Sequence, residues 1–202
     1  MAYSTELTSI NSGLYSNKGF PVMLPWEKEY MEHCINMLHP SGDVLEIGFG
    51  LGYSANQIQK FPIRSHTIVE CSRKVVKESR IWANDQAHPV NIIEGTWQNV
   101  LCLLGRFDTV FFDDCFLTEH PYEHNIAGFK YFLEQTVRFH SKQTTKIGWY
   151  CEDPPPERTE RLFKKLNLQY ELTEFKIKKP KNIEYAKKHK DLMFVPQLTY
   201  YG

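Results

Sequence analysis

The feature that most constrains how this chain can fold is a rhythm of short apolar runs, each followed by a segment of helical periodicity. Val44, Leu45 and Ile47 form the first run, His66 to Glu70 the second, Val90 to Ile93 the third and Thr109 to Phe112 the fourth. Helical segments near Leu51 to Phe61, Arg73 to Asn84 and Thr96 to Leu104 lie between them. Strands that alternate with about ten to fifteen helical residues need crossover connections, and crossovers lay strands side by side in a parallel sheet. The rhythm continues with a long helix around Tyr122 to His140, a strand at Lys146 to Cys151 and a helix from Glu157 to Leu166. Two extended runs follow, Gln169 to Ile177 and Leu192 to Thr199, separated by a lysine-rich stretch too short for a full crossover. The expectation is an α/β fold: a doubly wound, mostly parallel seven-stranded sheet with an antiparallel C-terminal strand.

Upstream of this pattern, Trp26, Tyr30, Met31, Cys34, Ile35 and Leu38 recur at helical spacing from Pro25 to the His39-Pro40 stop. The first twenty residues are rich in Ser, Thr, Asn and Gly and read as an irregular arm, ordered against the rest of the chain as a lid over a site. The remainder, 21–202, reads as one domain, since 202 residues without internal repeats suit a single core.

The 24 Lys+Arg residues balance 24 Asp+Glu residues, which argues against a chain-wide polybasic surface, so a charged partner must be met locally. No stretch approaches the roughly 18 to 20 apolar residues of a membrane helix, and the first seventeen residues are too polar for a signal-peptide core. The five cysteines stand singly, a pattern of reduced thiols, and the eight histidines include no HExxH motif. A cytoplasmic protein without a bound metal, monomeric or homodimeric, is expected.

The chemistry gathers at the ends of the predicted strands. In Val44 to Ser54 (VLEIGFGLGYS) the chain passes from strand to helix through Gly48, Gly50 and Gly52. Glycines there permit a sharp turn and close approach of a ligand to the main chain, and the helix amides that follow favour an electronegative group. Glu70 ends the second strand about twenty residues later, where an acid accepts hydrogen bonds from both hydroxyls of a ribose. After the third strand comes Glu94-Gly95-Thr96-Trp97-Gln98; its tryptophan either lies against an adenine ring or covers the sheet as core. There is no GxxxxGK[ST] motif for a nucleoside triphosphate.

Together these stretches resemble the class I S-adenosylmethionine-dependent methyltransferases. More closely, the chain looks like guanidinoacetate N-methyltransferase and the related fungal-type arginine N-methyltransferases that share its core. The resemblance rests on PVMLPWEKEYM at Pro21 to Met31, VLEIGFG at Val44 to Gly50, IVEC at Ile68 to Cys71, EGTWQNV at Glu94 to Val100, FDTVFFDD at Phe107 to Asp114 and FVPQLT at Phe194 to Thr199. It implies a Rossmann-like sheet and S-adenosyl-L-methionine as cofactor. Phe49, Gly50, Leu51 and Gly52 would wrap the methionine part of that cofactor, with Met23 and Met31 packed nearby. Glu70 would hold the ribose, and Cys71, Trp97 and Gln98 would line the adenine end. It also implies that Glu27 and Asp113 grip the guanidino group of the substrate. A guanidinium is protonated and offers no nucleophilic lone pair, so two carboxylates must orient it and help remove a proton as the methyl group moves.

The chain departs from the family after the fifth predicted strand, where main-chain amides receive the carboxylate of guanidinoacetate. The stretch here reads Tyr150-Cys151-Glu152-Asp153-Pro154-Pro155. Pro154 has no amide hydrogen, and Glu152 and Asp153 repel a carboxylate. Asp114 adds a further acid beside Asp113, and Leu24 stands where the family has another acid. These residues predict a peptide or small-molecule acceptor with a guanidino or amino group and no nearby carboxylate. Two other readings stay open: a non-catalytic interaction protein on the same fold, and a nucleic-acid methyltransferase using the lysines between Lys176 and Lys190. The second is disfavoured by the single aromatic in that patch, Tyr185.

Overall fold

The computed structural model describes residues 6–114, 121–180 and 191–202. The first elements are three short strands, β1 (Leu7–Ile10), β2 (Gly13–Ser16) and β3 (Pro21–Met23), paired as a small antiparallel sheet. The composition of this segment predicts an irregular arm. The difference lies in the turn: Asn11 and Ser12 both adopt positive φ, 47° and 65°, between the paired residues Ile10 and Gly13. That two-residue turn matches the twist of its strands without needing glycine. Leu14 and Met23, 1% and 6% exposed, then carry the small sheet onto the main core.

A 3-10 turn, Pro25–Glu27, leads into α1 (Lys28–Leu38). Glu27 closes the turn by accepting the Leu24 N–H at 2.6 Å. At the other end His39 takes a left-handed φ of 49° and donates its N–H to the Ile35 carbonyl at 3.1 Å, after which Pro40 ends the helix. The predicted face of Tyr30, Met31, Cys34, Ile35 and Leu38 is buried.

The alternation then runs as the apolar pattern predicts: β4 (Gly42–Ile47), α2 (Tyr53–Ile58), β5 (Ile63–Glu70), α3 (Arg73–Ala83), β6 (Val90–Glu94), α4 (Trp97–Val100), β7 (Phe107–Phe112), α5 (Pro121–Gln135), β8 (Ser141–Trp149), α6 (Glu157–Lys165), β9 (Leu168–Lys176) and β10 (Leu192–Tyr200). The large sheet has the order β6-β5-β4-β7-β8-β10-β9. Its first five strands are parallel, and β10 runs antiparallel to both neighbours. The seven-stranded, Rossmann-like sheet is therefore present as expected. Part of the lysine-rich connection before β10, residues 181–190, lies outside the described residues.

Strand β4 is buried on both faces. Val44 packs with Ile35, Ile58 and Ile68 on the side of α1, and Leu45 and Ile47 pack with Val110, Phe132 and Phe163 on the side of α5 and α6. Successive strands run outward from β4 first to one side, then to the other, so the carboxyl end of β4 is a topological switch point. In open α/β sheets that crevice is where ligands bind. Among the described residues no helix is long and apolar enough to cross a membrane.

Candidate active site

At the carboxyl end of β4 the chain turns through glycines whose conformations no other residue adopts cheaply. Gly48 has φ +86°, and a Cβ there would lie 2.3 Å from the Asp113 carbonyl oxygen. Only a bare backbone lets the ends of β4 and β7 meet so closely. Gly50 has φ +54°, and the position of its absent Cβ lies 2.8 Å from Sδ and Cε of Met23. The Leu51 N–H donates to the same sulfur at 3.2 Å. Met23 thus sits on the turn, carried there by β3.

Glu70, 7% exposed, ties this turn to the next element. One carboxylate oxygen accepts the Phe49 N–H at 3.0 Å and the other the Ser72 N–H at 2.7 Å. Each oxygen keeps a lone pair, so the group is oriented before any hydroxyl arrives. Phe49 lies against Trp82 with ring centroids 5.1 Å apart. Leu51 is half-buried, and Met31 is fully buried in the core beneath.

Cys71 is half-buried beside Glu70; burial, then the charges of Glu70 and Asp114, push its thiol up to about 12. Gln98 is exposed on the first turn of α4. Trp97 does not offer a free ring face. It is 3% exposed, packed among Phe112, Phe132 and Tyr131, and its indole N–H donates to Asp114. Of the two readings of Trp97, core covering is the one that its burial matches.

The two acids singled out in the sequence come together. Glu27 is 5% exposed at the 3-10 turn, and Asp113 follows β7, its N–H donating to the Ile47 carbonyl at 2.9 Å. Burial pushes the Asp113 carboxyl well above the usual range, and the charges of Glu27, Glu46, Asp114 and Glu70 add to that. Asp114 is pushed up to about 6 by burial and by Glu70, against the opposing hydrogen bond from Trp97. Such a concentration of carboxyl groups favours the arrival of a cation.

Three residues that sequence reasoning missed complete the surroundings. Tyr150, half-buried just beyond β8, donates to the Phe112 carbonyl through its N–H at 3.2 Å. Its hydroxyl lies 3.2 Å from an oxygen of Glu27 and 3.2 Å from an oxygen of Glu152. Glu152 is therefore joined to the acid pair rather than belonging to a detached loop, whereas Pro154 is exposed and Asp153 half-buried. Beneath the glycine turn, fully buried Glu46 meets His66 Nε2 at 2.9 Å and accepts the Ser54 hydroxyl. An acid within the apolar run Val44 to Ile47 was the signal that could have found this pair.

The family described as guanidinoacetate N-methyltransferase matches residues 13–153. Protein arginine N-methyltransferase 2 of Aspergillus fumigatus is 29% identical over 152 residues, 72% of this chain and 34% of that protein. The chain thus spans about a third of the length of this curated relative. Among solved structures, an O-methyltransferase from Bacillus cereus in complex with SAH superposes with a TM-score of 0.56 at 16% identity, over 88% of this chain and 82% of that one. A methyltransferase from Pyrococcus furiosus gives 0.62 at 16%, over 87% and 83%. At these identities the structural likeness speaks for the fold alone.

Proposed function

Because the chain belongs to the guanidinoacetate N-methyltransferase family, we propose that it is an S-adenosylmethionine-dependent N-methyltransferase acting on a guanidino group, with Glu27 and Asp113 holding the acceptor. The observation that carries this reading is the convergence of those two acids beside the glycine turn, close enough for Glu27 to raise the Asp113 carboxyl.

The cofactor fits the residues present. Glu70, oriented by the Phe49 and Ser72 N–H groups and with lone pairs left over, would take the ribose hydroxyls, and the methionine part would lie along the turn beside Phe49, Gly50, Leu51, Gly52 and Met23. Cys71, Gln98 and Asp114 would line the adenine end, with Trp97 acting through its hydrogen bond to Asp114. When bound, the cofactor supplies an electrophilic methyl group on a sulfonium.

The chain's own residues do the rest. Glu27 and Asp113 fix the plane of the guanidinium and remove a proton from its reacting nitrogen. In the free protein burial, and after it the neighbouring acids, favours the protonated form of Asp113; a cation entering the site offsets the repulsion among those acids and favours the carboxylate. Alignment of nitrogen, methyl and sulfur is the larger part of the catalysis, which rigid placement at strand ends supports. The small N-terminal sheet, through Met23, closes one side of the site and limits water.

An arginine side chain within a polypeptide suits this site better than guanidinoacetate does. Pro154 removes an amide donor, and Glu152 faces the acid pair through Tyr150, so a substrate carboxylate meets like charge. The matching relative is itself named a protein arginine N-methyltransferase.

The test is label transfer from methyl-labelled S-adenosylmethionine to guanidinoacetate or to arginine-containing peptides, read by mass spectrometry. Label in the peptides is the expected result, and label in creatine would overturn the substrate assignment. Failure to bind S-adenosylhomocysteine in calorimetry would overturn the enzyme reading in favour of an interaction module.

A further inference from the structure

We propose that Tyr150 and Glu152 form a proton outlet for the acid pair, with the Tyr150 hydroxyl passing a proton from Glu27 to Glu152. The inference rests on the reading of the site as a guanidino N-methyltransferase. Acceptor and product are both guanidinium cations, while the sulfonium becomes a neutral thioether. Charge balance therefore requires one proton to leave for each methyl gained, and a buried carboxylate that keeps that proton cannot serve a second turnover.

The geometry supplies a path outward from Glu27. The Tyr150 hydroxyl stands 3.2 Å from each of the two carboxylates, and exposure rises from buried Glu27 to half-buried Glu152. Tyr150 carries a single hydroxyl hydrogen, which at any moment points to one acid. When Glu27 is protonated on the facing oxygen, its O–H bond breaks toward the tyrosine oxygen as the tyrosine O–H breaks toward Glu152. The phenol is regenerated, Glu27 is a carboxylate again, and Glu152 gives the proton to water.

The neighbours hold this line in place. The Tyr150 ring packs edge-on against Tyr30, with centroids 5.4 Å apart and planes at 86°. The Tyr30 hydroxyl, 2.6 Å from the Phe194 carbonyl, accepts the Cys151 N–H at 2.9 Å, which fixes the backbone between Tyr150 and Glu152. Among the described residues, the titratable groups around the junction include Glu27, Tyr30 and Cys34 from α1, Tyr53 from α2, Asp113 from the end of β7, Cys151 and Glu152.

Tyr150→Phe removes the hydroxyl and keeps the ring packing, so the fold should survive. With an arginine peptide and saturating cofactor, kcat at pH 7 should fall at least tenfold while KM changes less than about twofold. The deficit should shrink as pH rises and hydroxide takes the proton directly. Glu152→Gln should give the same pH-dependent deficit. An increase in KM at unchanged kcat, or a kcat loss of equal size at every pH, would overturn the outlet.

A second readout does not depend on turnover. Carboxyl carbon NMR at fixed pH should show the Glu27 and Glu152 signals both moving in Tyr150→Phe, since one hydroxyl lies 3.2 Å from each group. Movement of neither signal, or of only one, would overturn the outlet even if methyl transfer is found. Movement of both but no transfer to any guanidino acceptor would uphold the shared hydroxyl and overturn the assigned reaction.

Discussion

Asp114 stands between an indole that stabilises its charge and neighbours that oppose it. The Trp97 N–H favours the carboxylate; burial and Glu70 outweigh it, and the group rises from its ordinary 3.8 to about 6. The consequence for stability has a definite sign. Below pH 3.8 the side chain is protonated in folded and unfolded chains alike and contributes no difference. Between pH 3.8 and 6 the folded state binds more protons, so stability falls as pH rises, and the loss is complete above about 6. Its size is roughly 2–3 kcal/mol at one pKa unit per 1.36 kcal/mol, reduced for partial exposure. Asp114→Asn, which keeps an oxygen for Trp97, should therefore raise Tm by about 4–8 °C at pH 7.5 and by almost nothing at pH 3.5. Melting curves across that range check it. Residues such as Glu70, Glu27 and Asp113 were legible in the sequence because they sit in stretches of characteristic order. Tyr150 was not: a lone tyrosine after a strand has no spacing signature, and only the β7–β8 register sets it beside Asp113.

The strand-to-helix turn after β4 behaves as a unit because two of its glycines face different obstacles. At Gly50 the obstacle is the flexible end of Met23; at Gly48 it is the backbone carbonyl of Asp113. Gly50→Ala should cost about 1–2 kcal/mol of left-handed strain and weaken S-adenosylhomocysteine binding about tenfold, with partial recovery when Met23→Ala is added. Gly48→Ala has no such recovery and should lower Tm by 10 °C or more. Calorimetric titration and thermal melts of the three variants separate these outcomes. Below the turn, His66→Ala would remove a fully buried ring that lies 2.9 Å from the Glu46 side chain and leave a cavity in its place. A loss of about 3–5 kcal/mol is expected, seen in urea as a lower midpoint with unchanged slope. Apolar alternation made the large sheet legible element by element, since a parallel strand buried on both faces is a continuous apolar run. The N-terminal hairpin escaped because Asn11-Ser12 lacks the glycine that usually marks a two-residue turn, and its pairing depends on burial of Leu14 against distant residues.

Across the whole molecule, equal numbers of acids and bases conceal a separation between the two ends of the sheet. At the amino ends of the strands Asp43 and Asp108 are matched by Arg64 and Lys142 at 2.5–3.2 Å. The hydrogen bond from Arg64 is the largest cause that holds the Asp43 carboxyl well below the usual carboxylate range. Its contribution to stability is present above pH 3.8 and is lost as pH falls below that value. At the carboxyl ends the acids instead face one another, and burial first, then the neighbouring acids, moves Asp113 and Asp114 in the opposite direction. The same residue type thus braces one edge of the sheet and at the other creates an attraction for cations that the net charge of +0 hides. A cationic acceptor should be drawn to that edge through a field that salt screens over about 10 Å at 0.1 M. For an arginine peptide, kcat/KM should fall about five- to tenfold between 20 and 500 mM NaCl, with kcat nearly constant. A zwitterionic guanidino acid carries no net charge into the same field and should show a much shallower dependence. Equal slopes for the two acceptors would mean that the carboxyl-edge acids act only in contact and do not steer the encounter.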